Sequence, residues 1–192
     1  MARRHTYLDP DTGVLINLLG AHTESELSTA EHDLVIVRHI QLSERPLAGA
    51  FDLDHLRALH RHLFGDVYPF AGEIRLVDIC KVDDPSNRFV PARLIHAVAT
   101  HQFAELAADD FLRGLSRQAF VDGLAGHFTS LNRLHPFREG NGRTLRLFLH
   151  DLALHAGYRL DWTRIGRNVV LAACRDPINR ARQVLDLVVA AD

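Results

Sequence analysis

The 192-residue chain is 47% hydrophobic with a formal net charge of -2, long enough and apolar enough for one well-cored globular domain. That balance argues against a general nucleic-acid or membrane surface, and no apolar run reaches the length of a spanning helix. Cys80 and Cys174 stand isolated, match no metal or disulfide spacing, and are expected to be small buried hydrophobes.

Residues Met1 to His5 have no apolar stretch behind them, so no secretory signal is expected and cytoplasmic residence is the simplest case. Residues 1–22 read as an extended N-terminal arm with a turn signal at Asp9-Pro10-Asp11-Thr12-Gly13. Thr23 followed by Glu26 makes a capping box, and Ala30, Leu34, Val37 and Ile40 continue with helical spacing, which predicts a helix from 24 to 44 before Pro46. Asp52 caps a second helix carried by Leu53, Leu56, Leu59, Leu63 and Phe64 and ended by Gly65. His60 and His62, two apart on that helix, face different ways and form no metal pair.

The period changes over residues 73–90. Ile74 and Leu76 alternate with Arg75, Val77 and Ile79, residues 83–87 supply a loop, and Arg88-Phe89-Val90 pairs back, which predicts one hairpin. Lys81, near its tip, either grips a partner or keeps an exposed edge soluble. Pro91 opens a helix through Leu94, Ile95, Val98 and Leu106 that ends near Asp109-Asp110. Ser116 starts the next, with Phe120, Leu124, Phe128 and Leu131 on one face. Residues 143–156 are apolar on most sides and read as a buried central helix ended by Gly157. Thr163 and Asp176-Pro177 then look like the starts of two closing helices. The fold class expected is mostly α, a helical bundle around that buried helix with one small β-hairpin, in a single domain over 1–192.

Residues 135–146, His-Pro-Phe-Arg-Glu-Gly-Asn-Gly-Arg-Thr-Leu-Arg, carry the chemistry. Gly140 and Gly142 permit positive φ and let backbone N–H groups converge where the following helix presents unpaired donors, so the turn is an anion site. Arg143 and Arg146 lie three apart on the first turn and can clamp phosphate oxygens together. Glu139 beside them suits phosphate only with a divalent cation between, as Mg²⁺ is held by one or two carboxylates plus substrate phosphates. His135 can serve as a base near neutral pH. Arg133 and Arg138 read either as solvated arginines, the favoured reading, or as contacts to nucleotide or target.

This stretch resembles the signature of the Fic family, His-x-Phe-x-(Asp/Glu)-Gly-Asn-Gly-Arg-x-x-Arg, and matches it at every fixed position. The resemblance implies protein AMPylation, the transfer of AMP from ATP to a hydroxyl of a target protein with release of pyrophosphate. It implies His135 as the base, Glu139 as the Mg²⁺ ligand, and Gly140, Asn141 and Gly142 as the hole for the α-phosphate. Arg143 and Arg146 would hold the β- and γ-phosphates, Phe137 would anchor the loop, and the 73–90 hairpin would be the flap that pairs with the target segment. Many members carry an inhibitory helix with Ser or Thr, three residues, then Glu and Gly or Asn, whose glutamate pairs with the second signature arginine. That spacing is missing here, so the resemblance points to a toxin restrained by a small antitoxin that supplies the glutamate to Arg146. Topoisomerase subunits are a target expectation from similar stand-alone members. A Doc-like kinase and a non-catalytic nucleotide-binding module are the alternatives, and Gly142, where the Doc branch has lysine, favours AMP transfer.

Overall fold

Sequence-local capping starts the first two helices where the pattern places them, in a computed structural model that describes residues 7–81, 84–166, 169 and 178–191. The chain divides into two compact units, Met1–Arg93 with Pro136–Thr144, and Leu94–His135 with Leu145–Asp192. Among the described residues the elements are mostly α.

In the first unit, α1 (Glu24–Glu44) begins with the reciprocal bonds of Thr23 and Glu26, and α2 (Leu53–Phe64) begins with Asp52 accepting from the His55 N–H. Each cap satisfies donors that an isolated helix end leaves open. The two helices pack together. The buried stripe of α1 differs from the expected one: Leu27, Glu31, Val35 and Leu42 point inward, while Val37 and Ile40 are about half exposed at 51% and 52%. The helix has apolar residues on two faces, and the stripe that includes a carboxylate is the one that docks, because Glu31 finds partners there. Within its described part, residues 7–22, the arm expected to be extended turns back on itself. The Asp9 carboxylate accepts from the N–H groups of Asp11 and Thr12, Leu8 bridges Leu15, and the Leu18 N–H donates to the Val67 carbonyl at 2.8 Å.

The predicted hairpin exists with its strands displaced. β1 (Cys80–Lys81) pairs antiparallel with β2 (Asp84–Arg88), Cys80 opposite Arg88 and Lys81 opposite Asp84. Most of the expected loop at 83–87 is therefore strand, residues 82–83 lie outside the described set, and the alternating run 74–79 is not a strand. Arg75 explains the displacement. Its side chain is fully buried, Nη1 donates to the Val77 carbonyl at 2.7 Å and Nη2 to the Val90 carbonyl. A guanidinium thus ties the base of the ribbon where ladder bonds were expected, and burial pulls its pKa down from the ordinary arginine value. Pro85 is tolerated because each strand of a two-stranded ribbon has an unpaired edge. Cys80, expected to be buried, is exposed, since a strand in so thin a ribbon has no core beneath it.

The second unit holds α3 (Ile95–Ala108) and α4 (Arg117–Leu134), which pack together, with α4 also packing on α6 (Ile178–Val188). A single 3₁₀ turn, Ala92–Leu94, precedes α3. Ser116 caps α4 as expected, and Phe120, Leu124, Phe128 and Leu131 are buried along it. Helix α5 (Asn141–His155) starts two residues before the expected 143. It buries Leu145, Leu147, Phe148, Leu149, Leu152 and Ala153, with Leu154 at 41% exposure. Phe148 meets Phe103 of α3 edge-on at 5.8 Å, the arrangement that ring quadrupoles favour.

Unexpected is a second antiparallel pair, β3 (Tyr158–Leu160) with β4 (Val189–Ala191). Its two strands are far apart in sequence and too short for a period to show. Thr163 begins no α-helix: Asp161 caps one 3₁₀ turn, Trp162–Arg164. The expected helix start at Asp176-Pro177 and Cys174 lie outside the described residues. In α6 Ala181, Leu185 and Val188 are buried as expected, but Ile178 is exposed.

Candidate active site

The part of the signature in the first unit, Pro136–Thr144, is a tight turn whose parts hold one another. Asn141 folds its side chain back so that Oδ1 accepts from the Phe137 N–H and Nδ2 donates to the Phe137 carbonyl, both at 2.8 Å. The buried Asn141 amide therefore staples the loop, and what it offers outward is backbone. Gly140 sits at φ +75°, and a Cβ there would stand 2.5 Å from the Phe64 ring, so only glycine fits both the backbone and the space. Its carbonyl accepts from the Thr144 N–H and hydroxyl, each at 3.1 Å. This sets Gly140 as the residue before the first turn of α5. The N–H groups of Asn141, Gly142 and Arg143 then lie in the turn where a helix has no internal acceptors, at its positive dipole end. Gly142 is exposed in that turn.

Arg143 is oriented by three contacts. Its Nη1 donates to Oε1 of Glu31 on α1, its Nη2 lies 3.6 Å from Glu139 Oε1, and its guanidinium carbon stands 4.7 Å above the Phe64 ring. A cation over a ring face is attracted by the ring quadrupole. Glu139 is 44% exposed, and its Oε1 accepts from the Gly140 N–H at 2.9 Å.

Beneath the loop lies His60 of α2, far from the signature in sequence. It is buried, its Nε2 donates to the Glu139 carbonyl at 2.9 Å, and its Nδ1 accepts from the Gly72 N–H at 2.8 Å. Those two roles fix the neutral tautomer with its proton on Nε2. The ring stacks on Phe137 at 3.9 Å, and Phe137 is fully buried, the loop anchor that was expected. Burial pushes the His60 pKa down to about 4, although the Glu139 carbonyl raises it. The Arg75 N–H adds a further tie to the Pro136 carbonyl at 2.9 Å.

His135 and Arg146 belong to the second unit. His135 ends α4 in the left-handed conformation, φ 45° and ψ 60°, where histidine is one of the few side chains found. Its Nδ1 lies 3.2 Å from the Asn132 carbonyl, so Nδ1 carries the proton and Nε2 the lone pair, the form a general base needs. Arg146 is half-buried on α5, one turn beyond Arg143. Arg133 is exposed and Arg138 half-buried.

An open helix N-terminus behind a positive-φ glycine, an oriented arginine and a histidine of fixed tautomer now bear on identity. The family model described as Fic/DOC matches residues 50–153. The chain belongs to the Fic/DOC family. Among its relatives, the protein adenylyltransferase VbhT of Bartonella schoenbuchensis is 42% identical over 167 residues, 87% of this chain and 34% of VbhT. This chain thus spans about a third of VbhT's length. A Salmonella typhimurium protein named probable protein adenylyltransferase Fic is 37% identical over 84% of this chain and 78% of its own. Among solved structures, the N-terminal Fic domain of a VirB-translocated Bep effector from Bartonella quintana, with bound ADP, superposes with a TM-score of 0.89 at 26% identity. That match covers 98% of this chain and 96% of the other, so the mostly helical Fic fold extends over nearly all of it. No described helix is long and apolar enough to cross a membrane.

Proposed function

We propose that this Fic/DOC protein is a protein adenylyltransferase that moves AMP from Mg-ATP to a side-chain hydroxyl of a target protein. The observation that carries the reading is the α5 N-terminus, where the Gly140 turn, the stapled Asn141 and the oriented Arg143 stand in one rigid piece. In the reaction the target hydroxyl oxygen bonds to the α-phosphorus, the bond from that phosphorus to the bridging oxygen breaks, and pyrophosphate leaves. The hydroxyl proton passes to His135 Nε2. The N–H groups of Asn141 and Gly142, in the turn that Gly140 opens, face the charge that grows on the α-phosphate oxygens, and because they are fixed beforehand they need no reorganisation during the reaction. Arg143 and Arg146 hold the β- and γ-phosphates.

Glu139 fits the metal role only in company. Among the described residues no group of three or more His, Cys, Asp or Glu could hold an ion. A single accessible carboxylate beside an anion turn suits Mg²⁺ that takes its remaining ligands from phosphates and water. Bound there, the cation would neutralise charge on the triphosphate.

The expected physiological setting is a toxin held in check by a small antitoxin whose glutamate reaches Arg146, with the β1–β2 ribbon as the flap that pairs with the target. A complex with no partner glutamate at Arg146, together with harmless expression of the chain alone, would remove that setting. For the chemistry, purified protein receives α- or γ-labelled ATP with cell lysate, in parallel with His135→Ala. Label on a protein band from the α position only, lost in the variant, is expected. Label from the γ position would assign the Doc-like kinase reaction instead, and no label with intact nucleotide binding would leave a binding module. The labelled band also identifies the target and tests the topoisomerase expectation.

A further inference from the structure

We propose that Glu31 and Tyr68, neither of them in the signature, are positioning residues that hold Arg143 in the geometry needed for the nucleotide's phosphates; this rests on the adenylyltransferase reading. Glu31 occupies the middle of the buried stripe of α1, one turn from Leu27 and one from Val35, with its side chain only 10% exposed. A carboxylate in such a place is costly unless both oxygens are engaged. Both are. Oε1 accepts from Arg143 Nη1 and Oε2 accepts from the Tyr68 hydroxyl.

Tyr68 is itself immobile. It is buried at 2% exposure, its ring stacks on Phe70 at 5.0 Å, and its backbone N–H donates to the Phe64 carbonyl at 2.9 Å. Burial, with the adjacent carboxylate, pushes the phenol's pKa upward, so it remains an O–H donor. The Glu31 carboxylate is therefore held at the oxygen that Arg143 Nη1 does not use. Phe64 adds a third contact, its ring lying 4.7 Å from the guanidinium carbon. A group anchored at one nitrogen and laid on a ring has lost its rotamer freedom before any ligand arrives, so ligand binding does not bear that entropy.

The geometry favours support over blockade. Glu31 takes one nitrogen of a fork with five N–H donors, and the Arg143 side chain keeps 31% exposure. The contact to Glu139 is looser at 3.6 Å, which lets Glu139 turn to a cation while Glu31 keeps Arg143 in place. A blocking carboxylate would instead have to leave before phosphate could bind, and one held by a buried phenol on a helix is poorly suited to leaving.

The test measures binding of the non-hydrolysable analogue AMPPNP with Mg²⁺ by calorimetry, for wild type, Glu31→Gln, Tyr68→Phe, the double variant and Arg143→Ala, with melting temperatures alongside. Glu31→Gln is expected to weaken binding about tenfold and Tyr68→Phe about threefold. The double variant should resemble Glu31→Gln, because Tyr68 acts through that carboxylate. In turnover assays KM for ATP should rise more than kcat falls, a split that simple loss of fold stability would not produce. Wild-type affinity in a folded Glu31→Gln or Tyr68→Phe overturns the proposal, and tighter binding overturns it in favour of a brake. Tyr68→Phe keeps the ring and its stack, so it reports even if Glu31→Gln misfolds. Absence of AMPPNP binding by wild type defeats the parent reading and this one with it. Binding with no α-label transfer defeats the parent reading alone.

Discussion

His60 shows how much a single residue outside the signature contributes to the shape of the loop. Its two nitrogens are committed, one donating to the Glu139 carbonyl and one accepting from Gly72, so a second proton would break the Gly72 bond and place a charge in a buried site. The pKa falls from 6.5 to about 4 on folding. Since the folded value is the lower one, the unfolded chain binds the proton first. Stability from this group is intact above pH 6.5, declines as the pH falls through the window to 4, and is level below that. The full difference is about 3 kcal/mol. Asp151 opposes it: burial raises that carboxyl to about 6, so its penalty for charge is relieved as the pH falls through the same range. Urea midpoints of wild type against His60→Gln isolate the histidine, because glutamine keeps a donor and an acceptor but does not titrate. The wild-type curve should fall more steeply between pH 6.5 and 4 than that of the variant. Parallel curves would mean that His60 accepts its proton without loss.

At the level of elements, what the sequence disclosed followed how local the cause was. Caps made by neighbours in sequence, Thr23 with Glu26, Asp52 and Ser116, were readable and fall where expected. The docking face of α1 was not, because two apolar stripes compete and the winner depends on Tyr68 and Arg143, 37 and 112 residues from Glu31. A charged residue in register with Leu27 and Val35 was the available signal. Hairpin strands slipped because Arg75 bonds the carbonyls of Val77 and Val90 from within, which no alternation pattern encodes. The β3–β4 pair joins segments too short to show a period. At the start of α5, by contrast, the glycine signal was sufficient, and it yields a sharp expectation. In Gly140→Ala the new methyl must meet the Phe64 ring at 2.5 Å while the backbone stays at φ +75°. Strain plus overpacking should cost about 2–4 kcal/mol. Denaturation should register that loss, and adding Phe64→Leu should recover part of it by vacating the ring, which a purely conformational penalty would not allow.

For the whole molecule, the chemistry of the signature was legible because twelve consecutive residues carry it, while its supports come from distant segments, His60 lying 79 residues from Glu139. Substrate binding should therefore stabilise the chain globally, since the loop is tied to α1 through Glu31 and to α2 through His60. A ligand that binds only the folded chain stabilises it by about 2.7 kcal/mol at a hundredfold excess over its dissociation constant. For a chain of this size that corresponds to a rise of about 5–10 °C in melting temperature. With a net charge of -2 and Glu31 and Glu139 both beside Arg143, a bare triphosphate meets nearby negative charge that a divalent cation would offset. AMPPNP alone should thus give a small shift and AMPPNP with Mg²⁺ the full one. Glu139→Gln keeps an acceptor for the Gly140 N–H but loses the carboxylate charge, so its melting temperature should retain the metal-free shift and lose the Mg²⁺-dependent increment. An increment equal to that of wild type would take the cation away from Glu139 and leave it on the phosphates alone.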